Sequence, residues 1–309
     1  MKHRTQIPLR HFFATPPTPC PYIAGRLERK VVTLLTGSNP NALHEALSLA
    51  GFRRSQDLAY RPACDNCTAC VPVRIPVRDL AMSRSQRRIV NRHRDIVARS
   101  CVPEATREHF LLFRRYIVGR HSDGGMADMD FSDYRAMVEE TPVDTELTEF
   151  REPDGSLYAV CLVDRMSDGF SLVYSFFDPA SDRASPGNFV ILWHVMEAQR
   201  LGLPHVYLGY WIAESRKMAY KRRFAPLEAL GAELEKARRD AIDRSCGPPS
   251  LLSSTIRALA PLDGRPLGSH ARAGAAGATL CYSSCRATKS SWPRVPGSHR
   301  TRPPTSRTA

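Results

Sequence analysis

The chain has 309 residues, 42% of them hydrophobic, enough to bury a substantial core in one large or two ordinary domains. Lys and Arg number 44 against 31 Asp and Glu, and the formal charge of +13 points to an anionic partner. No run approaches the ~18 apolar residues of a membrane span, and the start, MKHRTQIPLRHFF, is broken by charge and proline, so a cytoplasmic protein without a membrane partner is expected.

Residues 29–35 predict a strand, and Asn39-Pro40 then caps a helix whose Leu43, Leu47 and Ala50 share one face before Gly51 ends it. Extended runs follow at 58–62 and 71–77, either side of a cysteine loop. Ser83 or Ser85 opens a very basic helix to about residue 100, and Pro103 begins another that carries Phe110, Phe113 and Ile117. A short helix at 132–140 leads to strands at 147–152, 157–163 and 170–177, turned at Asp154-Gly155 and Ser167-Asp168-Gly169. A helix over 188–201, stopped by Gly202 and Pro204, precedes a last strand from His205. Antiparallel strands, a helix and a returning strand make an α+β sheet layered with helices. That order resembles the acyltransferase fold of the GNAT type.

Residues 246–309 hold nine Lys and Arg against one acid, Asp263, and 47 of these 64 positions are Gly, Pro, Ser, Ala, Arg or Thr. Such a segment buries too little apolar surface to offset its ordering entropy. The expected organisation is therefore a cysteine-containing, basic N-terminal region over 1–100, a GNAT-like transferase domain over 101–231 and a disordered basic tail over 232–309. A passive tail is favoured over an RNA-binding arm, and Cys246, Cys281 and Cys285 carry no inferred role.

Nine cysteines without a secretory signal argue for metal or reactive thiols rather than a disulfide framework. Cys64, Cys67 and Cys70 repeat a two-residue spacing that lets thiolates converge on one cation, and Cys20 in its small proline loop is the best candidate for a fourth ligand. Zinc or an iron–sulfur cluster would suit such a set. The bland alternative is a group of ordinary buried or surface cysteines, and Cys101 and Cys161 are expected in the core.

Arg84, Arg88 and Arg92 recur every four residues and so lie on one helix face, a row of cations spaced to follow a phosphate backbone. A solvated helix face explains the same row. The most informative stretch is HVYLGYWIAESRKMAYKRRFAP, residues 205–226, where a strand of alternating side chains delivers aromatic rings to a cationic segment. Aromatic strand residues are usually core residues. Taken with the arginine row, the combination favours RNA as the partner and not DNA.

The stretches FFATPPTPCPYIAGRLERKV (12–31), GFRRSQDLAYRPACDNCTACVPVRIPV (51–77), SRSQRR (83–88), YSFFDP (174–179) and YLGYWIAESRKMAYKRRFAPLEAL (207–230) resemble the aminoacyl-tRNA–protein transferases. Within these they are most similar to the bacterial aspartate/glutamate leucyltransferases. The resemblance spans about residues 11–231. It implies an enzyme that moves leucine from leucyl-tRNA onto the α-amine of proteins beginning with Asp or Glu, which marks them for degradation. The related eukaryotic arginyltransferases share Lys-Met-x-Tyr-Lys, here Lys217 to Lys221, and are associated with a cysteine-bound iron–sulfur cluster. That association makes Cys20, Cys64, Cys67 and Cys70 expected ligands, although the chemistry itself requires no cofactor.

Three tasks then need residues. The acceptor's acidic side chain needs a cation, from Lys217, Lys221 or Arg222, and the terminal adenosine can stack on Tyr207, Tyr210 or Trp211. Asp178 or Glu214 is the expected proton acceptor, with Tyr220 as donor to the oxyanion. One rival is a GNAT-type acetyltransferase that uses acetyl-CoA. Its phosphate loop is glycine-rich, whereas residues 178–188 have one glycine and place Asp178 and Asp182 where anions would be repelled. A non-catalytic zinc and RNA-binding module is the other rival, and it leaves the acyltransferase-like sheet without a purpose. The chain departs from the family at Ser185-Pro186-Gly187, where Pro186 removes a backbone donor at the entry to the helix.

Overall fold

A computed structural model describes residues 10–120 and 125–230, together with the backbone of a short strand at 256–258. The N-terminal layer is assembled from β1 (Phe13–Ala14), β2 (Thr18–Pro19), β3 (Leu27–Glu28), β4 (Lys30–Leu34), α1 (Pro40–Leu49), β5 (Arg53–Ser55) and β6 (Leu58–Pro62). Four of these strands form a sheet in the order β1-β4-β6-β5, and β2 pairs with β3. The Asn39 side chain accepts a hydrogen bond from the Ala42 N–H and Pro40 is the first helical residue, so α1 starts where its cap signal places it.

The large sheet uses β7 (Val71–Pro76), β8 (Val97–Cys101), β9 (Thr145–Arg151), β10 (Leu157–Met166), β11 (Gly169–Phe177), β12 (His205–Trp211), β13 (Leu227–Ala229) and β14 (Ile256–Ala258). Their order across the sheet is β14-β13-β7-β12-β11-β10-β9-β8. Between them run α2 (Arg84–Arg92), α3 (Arg107–Arg120), α4 (Phe131–Glu139) and α5 (Pro186–Leu201). One core packs Phe189, Val190, Leu192 and Val195 of α5 and Val90 of α2 against Ile75, Ala159, Cys161 and Val206. A second packs Leu112, Phe113 and Ile117 of α3 and Tyr134 and Val138 of α4 against Leu147, Val160, Leu162 and Phe176. Helices thus cover both faces, which is why nearly every residue of β10 is buried instead of alternating with solvent.

The feature that positions the site is a fork. Strands β11 and β12 run parallel and pair only over Gly169–Ser171 against His205–Tyr207. On β11, the register with β10 slips so that Val173 has no partner, and on β12 the register with β7 slips across Leu208. Such bulges bend a strand and increase its twist, and the two strands part beyond them.

Two knots of charge brace this framework, the first joining the N-terminal layer to the large sheet and the second lying within that sheet. Asp164 of β10 takes a bidentate grip from Arg54 of β5, 2.7 Å from both Nε and Nη2, with His44 Nε2 at 3.1 Å and the Thr145 hydroxyl donating at 2.9 Å. These contacts hold its carboxyl at about 2, against the opposing push of burial. In the second knot, Arg74 donates to Glu228, to Asp168 and to the Tyr207 hydroxyl, which itself donates to Asp168 at 2.8 Å.

Several expectations are corrected. The basic helix ends at Arg92 because His93 turns its ring inward, with Nδ1 2.8 Å from the Ile89 carbonyl and Nε2 2.8 Å from the Tyr158 hydroxyl. The chain then extends as the edge strand β8, so the helix does not reach residue 100. Strands β7 and β8 come from the first 101 residues, so the large sheet crosses the expected boundary at residue 100. The expected tail lies outside the described residues, apart from β14, which pairs in parallel with β13.

Candidate active site

At the fork, the edge of β11 that no longer faces β12 must find other partners for its backbone groups. Arg53 supplies them. Its guanidinium crosses from β5, donates to the Ser171 hydroxyl at 3.2 Å and to the Leu172 carbonyl at 2.5 Å, and lies against Gly209 of β12. A Cβ at Gly209 would stand 2.9 Å from Arg53 Nε, and Gly209 has φ +76°, so this position needs glycine twice over. On the next residue of β12, the Tyr210 carbonyl accepts from Lys221 Nζ at 2.6 Å.

Lys221 lies in a short 3-10 helix, Ala219–Phe224, and is only 6% exposed. Burial first, and the Arg53 charge second, lower its ammonium to about 7. Tyr220 beside it is half-buried and its hydroxyl is raised to about 12, by burial first and then by Tyr116, so it is a neutral donor near pH 7.

The arginine row and the aromatic-cationic segment meet in one pocket of about 570 Å³ lined by Ser83, Ser85, Gln86, Arg88, Ile89, Arg92, Ser185, Asn188, Arg223 and Phe224. Gln86 fixes this junction, its amide donating to the Arg223 carbonyl at 2.9 Å. The pocket lies at the start of α5, where free backbone N–H groups favour anions. Pro186 is tolerated there as the first helical residue, with Ser185 turned into the left-handed region at φ +66°. Arg84 is exposed on the same helix but does not line the pocket.

Tyr207 and Tyr210 are not stacking platforms. Tyr207 is 2% exposed and engaged with Asp168 and Arg74, and Tyr210 is 6% exposed with its hydroxyl on the Gly51 and Tyr60 carbonyls. Trp211 is half-buried against the core, and its indole N–H is buried without a hydrogen-bond partner among the described residues. Lys217, Arg222 and Glu214 are exposed, and Glu214 stands in the field of Arg26, toward the cysteine loop. Asp178, half-buried at the end of β11, accepts from the Ala180 N–H and faces Arg115 at 3.9 Å. Arg53 is the residue that sequence reasoning missed, since in Arg53-Arg54 nothing local separates a half-buried and a buried arginine from a solvated pair.

The four expected ligands share one neighbourhood. Burial first, then Cys64, Cys20 and Cys67, push the Cys70 thiol up to about 12. Arg26 donates to Cys67 Sγ at 3.1 Å, and the Arg29 N–H donates to Cys64 Sγ at 3.5 Å. Four thiols are the donor chemistry of zinc or an iron–sulfur cluster, but among the described residues no three His, Cys, Asp or Glu are arranged to hold one ion.

Parted strands on the large sheet and an arginine-lined pocket at the start of α5 are the features expected of a transferase with an anionic donor. Two family models match the chain: arginine-tRNA-protein transferase, N terminus, over residues 18–88, and the C terminus of the same enzyme over 108–231. The chain belongs to this family. An aspartate/glutamate leucyltransferase of Paramagnetospirillum magneticum is 56% identical over 72% of this chain and 91% of its own length. Enzymes of the same name from Gluconacetobacter diazotrophicus and Parvibaculum lavamentivorans are each 52% identical, over 71% and 74% of this chain and 84% and 95% of their own. Among solved structures, L-PGS from Bacillus licheniformis aligns over 47% of each chain at 12% identity with a TM-score of 0.38, too slight a likeness to argue from.

Proposed function

We propose that the chain transfers leucine from leucyl-tRNA to the N-terminal α-amine of proteins that begin with Asp or Glu, on a GNAT-type acyltransferase fold. It thereby feeds protein degradation in the cytoplasm. The names of its relatives support this reading, and the observation that carries it is the convergence of Arg88, Arg92 and Arg223 on one pocket at the start of α5. Phosphodiesters of the tRNA end lie in that pocket, and the aminoacyl ester reaches the fork.

The donor ester is already activated, and an α-amine with an ordinary pKa near ~8 is partly neutral at pH 7. Its lone pair attacks the ester carbonyl, a C–N bond forms, the C–O bond to the terminal ribose breaks, and the proton lost from nitrogen leaves with the ribose oxygen. Holding amine and ester together supplies most of the rate, with the Tyr220 hydroxyl as oxyanion donor. Asp178 is the proton acceptor that remains, since Glu214 stands on the cysteine side. The four thiols are offered to zinc or a cluster that would brace the N-terminal layer, and no step passes through it. Metal analysis checks this, and a protein without zinc or iron removes the idea.

Incubation with radiolabelled leucyl-tRNA and peptides beginning with Asp, Glu or Ala tests the function. Label is expected on the first two alone, and label on none of them overturns it. Acetyl transfer from acetyl-CoA is not favoured, because the segment between β11 and α5 keeps Asp178 and Asp182 near the entry of any pyrophosphate.

Exchanging Arg88 and Arg92 together for Glu should raise the KM for leucyl-tRNA at least tenfold and flatten its salt dependence, because each lost phosphate contact removes about one counterion from the slope. An unchanged salt slope would show that the pocket does not meet the RNA backbone.

A further inference from the structure

Two buried or half-buried cations meet at the fork without an anion between them. Arg53 spends its guanidinium on a hydroxyl and a backbone carbonyl, and Lys221 spends one of three donors on another carbonyl. Neither forms an ion pair within the described residues, whereas the deeply buried arginines, Arg54 and Arg74, each grip a carboxylate. The two charges oppose one another closely enough for Arg53 to make Lys221 a weaker base. Unpaired buried charge is unfavourable, and a protein keeps it where a ligand will neutralise it.

The fork limits what that ligand can be. Arg53 lies against Gly209 and Lys221 reaches Tyr210, consecutive residues of one strand, so an anion placed between the two side chains would meet a donor on each side. The arginines suited to a chain of phosphates line a different pocket, at the start of α5. One compact anion that must enter beside the reacting amine is the side-chain carboxylate of the acceptor's first residue.

We infer that Arg53 and Lys221 together form the carboxylate site for the N-terminal Asp or Glu of the acceptor, with Arg53 the specificity-determining residue contributed by the N-terminal layer. This rests on the proposed leucyl transfer. The planar fork of the guanidinium suits a carboxylate in two-point contact, and the short strand β5 exists to deliver it, with Arg54 anchored on Asp164 so that Arg53 projects the other way. Discrimination against an N-terminal Asn or Gln follows, because a neutral amide leaves both cations unpaired.

Arg53→Gln, Arg53→Lys and Gly209→Ala test the assignment, each compared with wild type for peptides beginning with Asp and with Asn, and for leucyl-tRNA. Calorimetric binding of the Asp peptide to enzyme without donor gives a readout that does not depend on transfer. If wild type fails to transfer leucine yet binds the Asp peptide over the Asn peptide in an Arg53-dependent way, the proposed reaction fails and the carboxylate site stands.

Arg53→Gln is expected to weaken the Asp peptide at least tenfold, to leave the KM for leucyl-tRNA within about twofold, and to shrink the preference for Asp over Asn. Arg53→Lys should recover part of that loss. Gly209→Ala, which displaces the guanidinium without removing it, should move the same quantity in the same direction. Unchanged Asp-peptide affinity in Arg53→Gln or in Gly209→Ala overturns the inference. A loss confined to leucyl-tRNA overturns it equally, since the anion at the fork would then be a phosphate. Should Arg53→Gln fail to fold, the Gly209→Ala and Arg53→Lys results decide.

Discussion

Lys221→Met is expected to reduce leucyl transfer at least a hundredfold while the protein melts at or above the wild-type temperature. Truncating one member of a buried charge pair at an interface costs about 2–5 kcal/mol, and the Lys221 ammonium is one such member once the acceptor's carboxylate arrives. Without the acceptor it is a buried charge whose hydrogen-bond partner among the described residues is a carbonyl. Replacing even a paired buried charge, with its partner, by apolar side chains is often neutral or stabilising by roughly 1–4 kcal/mol, and a charge without a counter-ion has less to lose. Function and stability therefore move in opposite directions at this position. A variant that loses both equally would make Lys221 a packing residue, and one that keeps activity would remove it from the site.

The pH dependence separates these effects further. The folded-state value for Lys221, about 7, lies below the unfolded value near ~10.4, so between them the unfolded chain binds the extra proton and stability rises with pH. The stability advantage of Lys221→Met is therefore complete below pH 7 and fades as pH rises toward 10. In catalysis, Lys221 must be charged and the acceptor amine, near ~8, must be neutral. Wild-type kcat/KM is accordingly bell-shaped with its maximum between about 7 and 8, and the variant loses the alkaline limb. The groups that face Lys221 are Arg53 from β5, Tyr210 from β12, and Tyr220 with Tyr116 behind it. The tyrosines remain neutral across this range, raised as Tyr210 and Tyr220 are by burial first.

What the sequence made legible was whatever local chemistry decides. The Asn39-Pro40 cap, the Asp154-Gly155 turn and the Gly202 stop each act within a few residues, and the structure has α1, the turn between β9 and β10 and the end of α5 at those places. The arginine row was visible for the same reason, though only Arg88 and Arg92 of it line the pocket. Burial of Tyr207, Tyr210 and Lys221 was not legible, because their partners Asp168, Gly51 and Arg53 lie tens to more than a hundred residues away. Strand β5 illustrates the limit. Arg-Arg-Ser has no apolar side chain to mark it as buried, and its identity rests on Asp164 and the fork. The extended arginine helix failed for a related reason, since the hydroxyl that draws His93 inward belongs to Tyr158.

Asp164→Ala is expected to destabilise the protein by about 3–5 kcal/mol in chemical denaturation, among the largest losses any single substitution here should cause. Its carboxylate is fully buried and pairs with Arg54, itself 5% exposed, so the alanine variant leaves a buried guanidinium with no counter-charge and only the Gln56 carbonyl and the Thr145 hydroxyl among the described residues to accept from it. Replacing both members, Asp164→Leu with Arg54→Met, should recover most of the loss, because the penalty lies in the orphaned charge and not in the missing bond. The acid limb checks the assignment. A carboxyl held at about 2 in the folded chain and near ~3.9 in the unfolded one contributes stability above pH 4, which is lost as pH falls toward 2. The gap between wild type and Asp164→Ala should therefore narrow by roughly 2–3 kcal/mol across that window, and a gap that stays constant would assign the loss to packing. Because Arg54 neighbours Arg53 in β5, the alanine variant should also loosen the wedge at the fork and weaken acceptor binding at temperatures where the fold persists. The double replacement restores stability without restoring the bidentate anchor, so it should leave that binding defect in place.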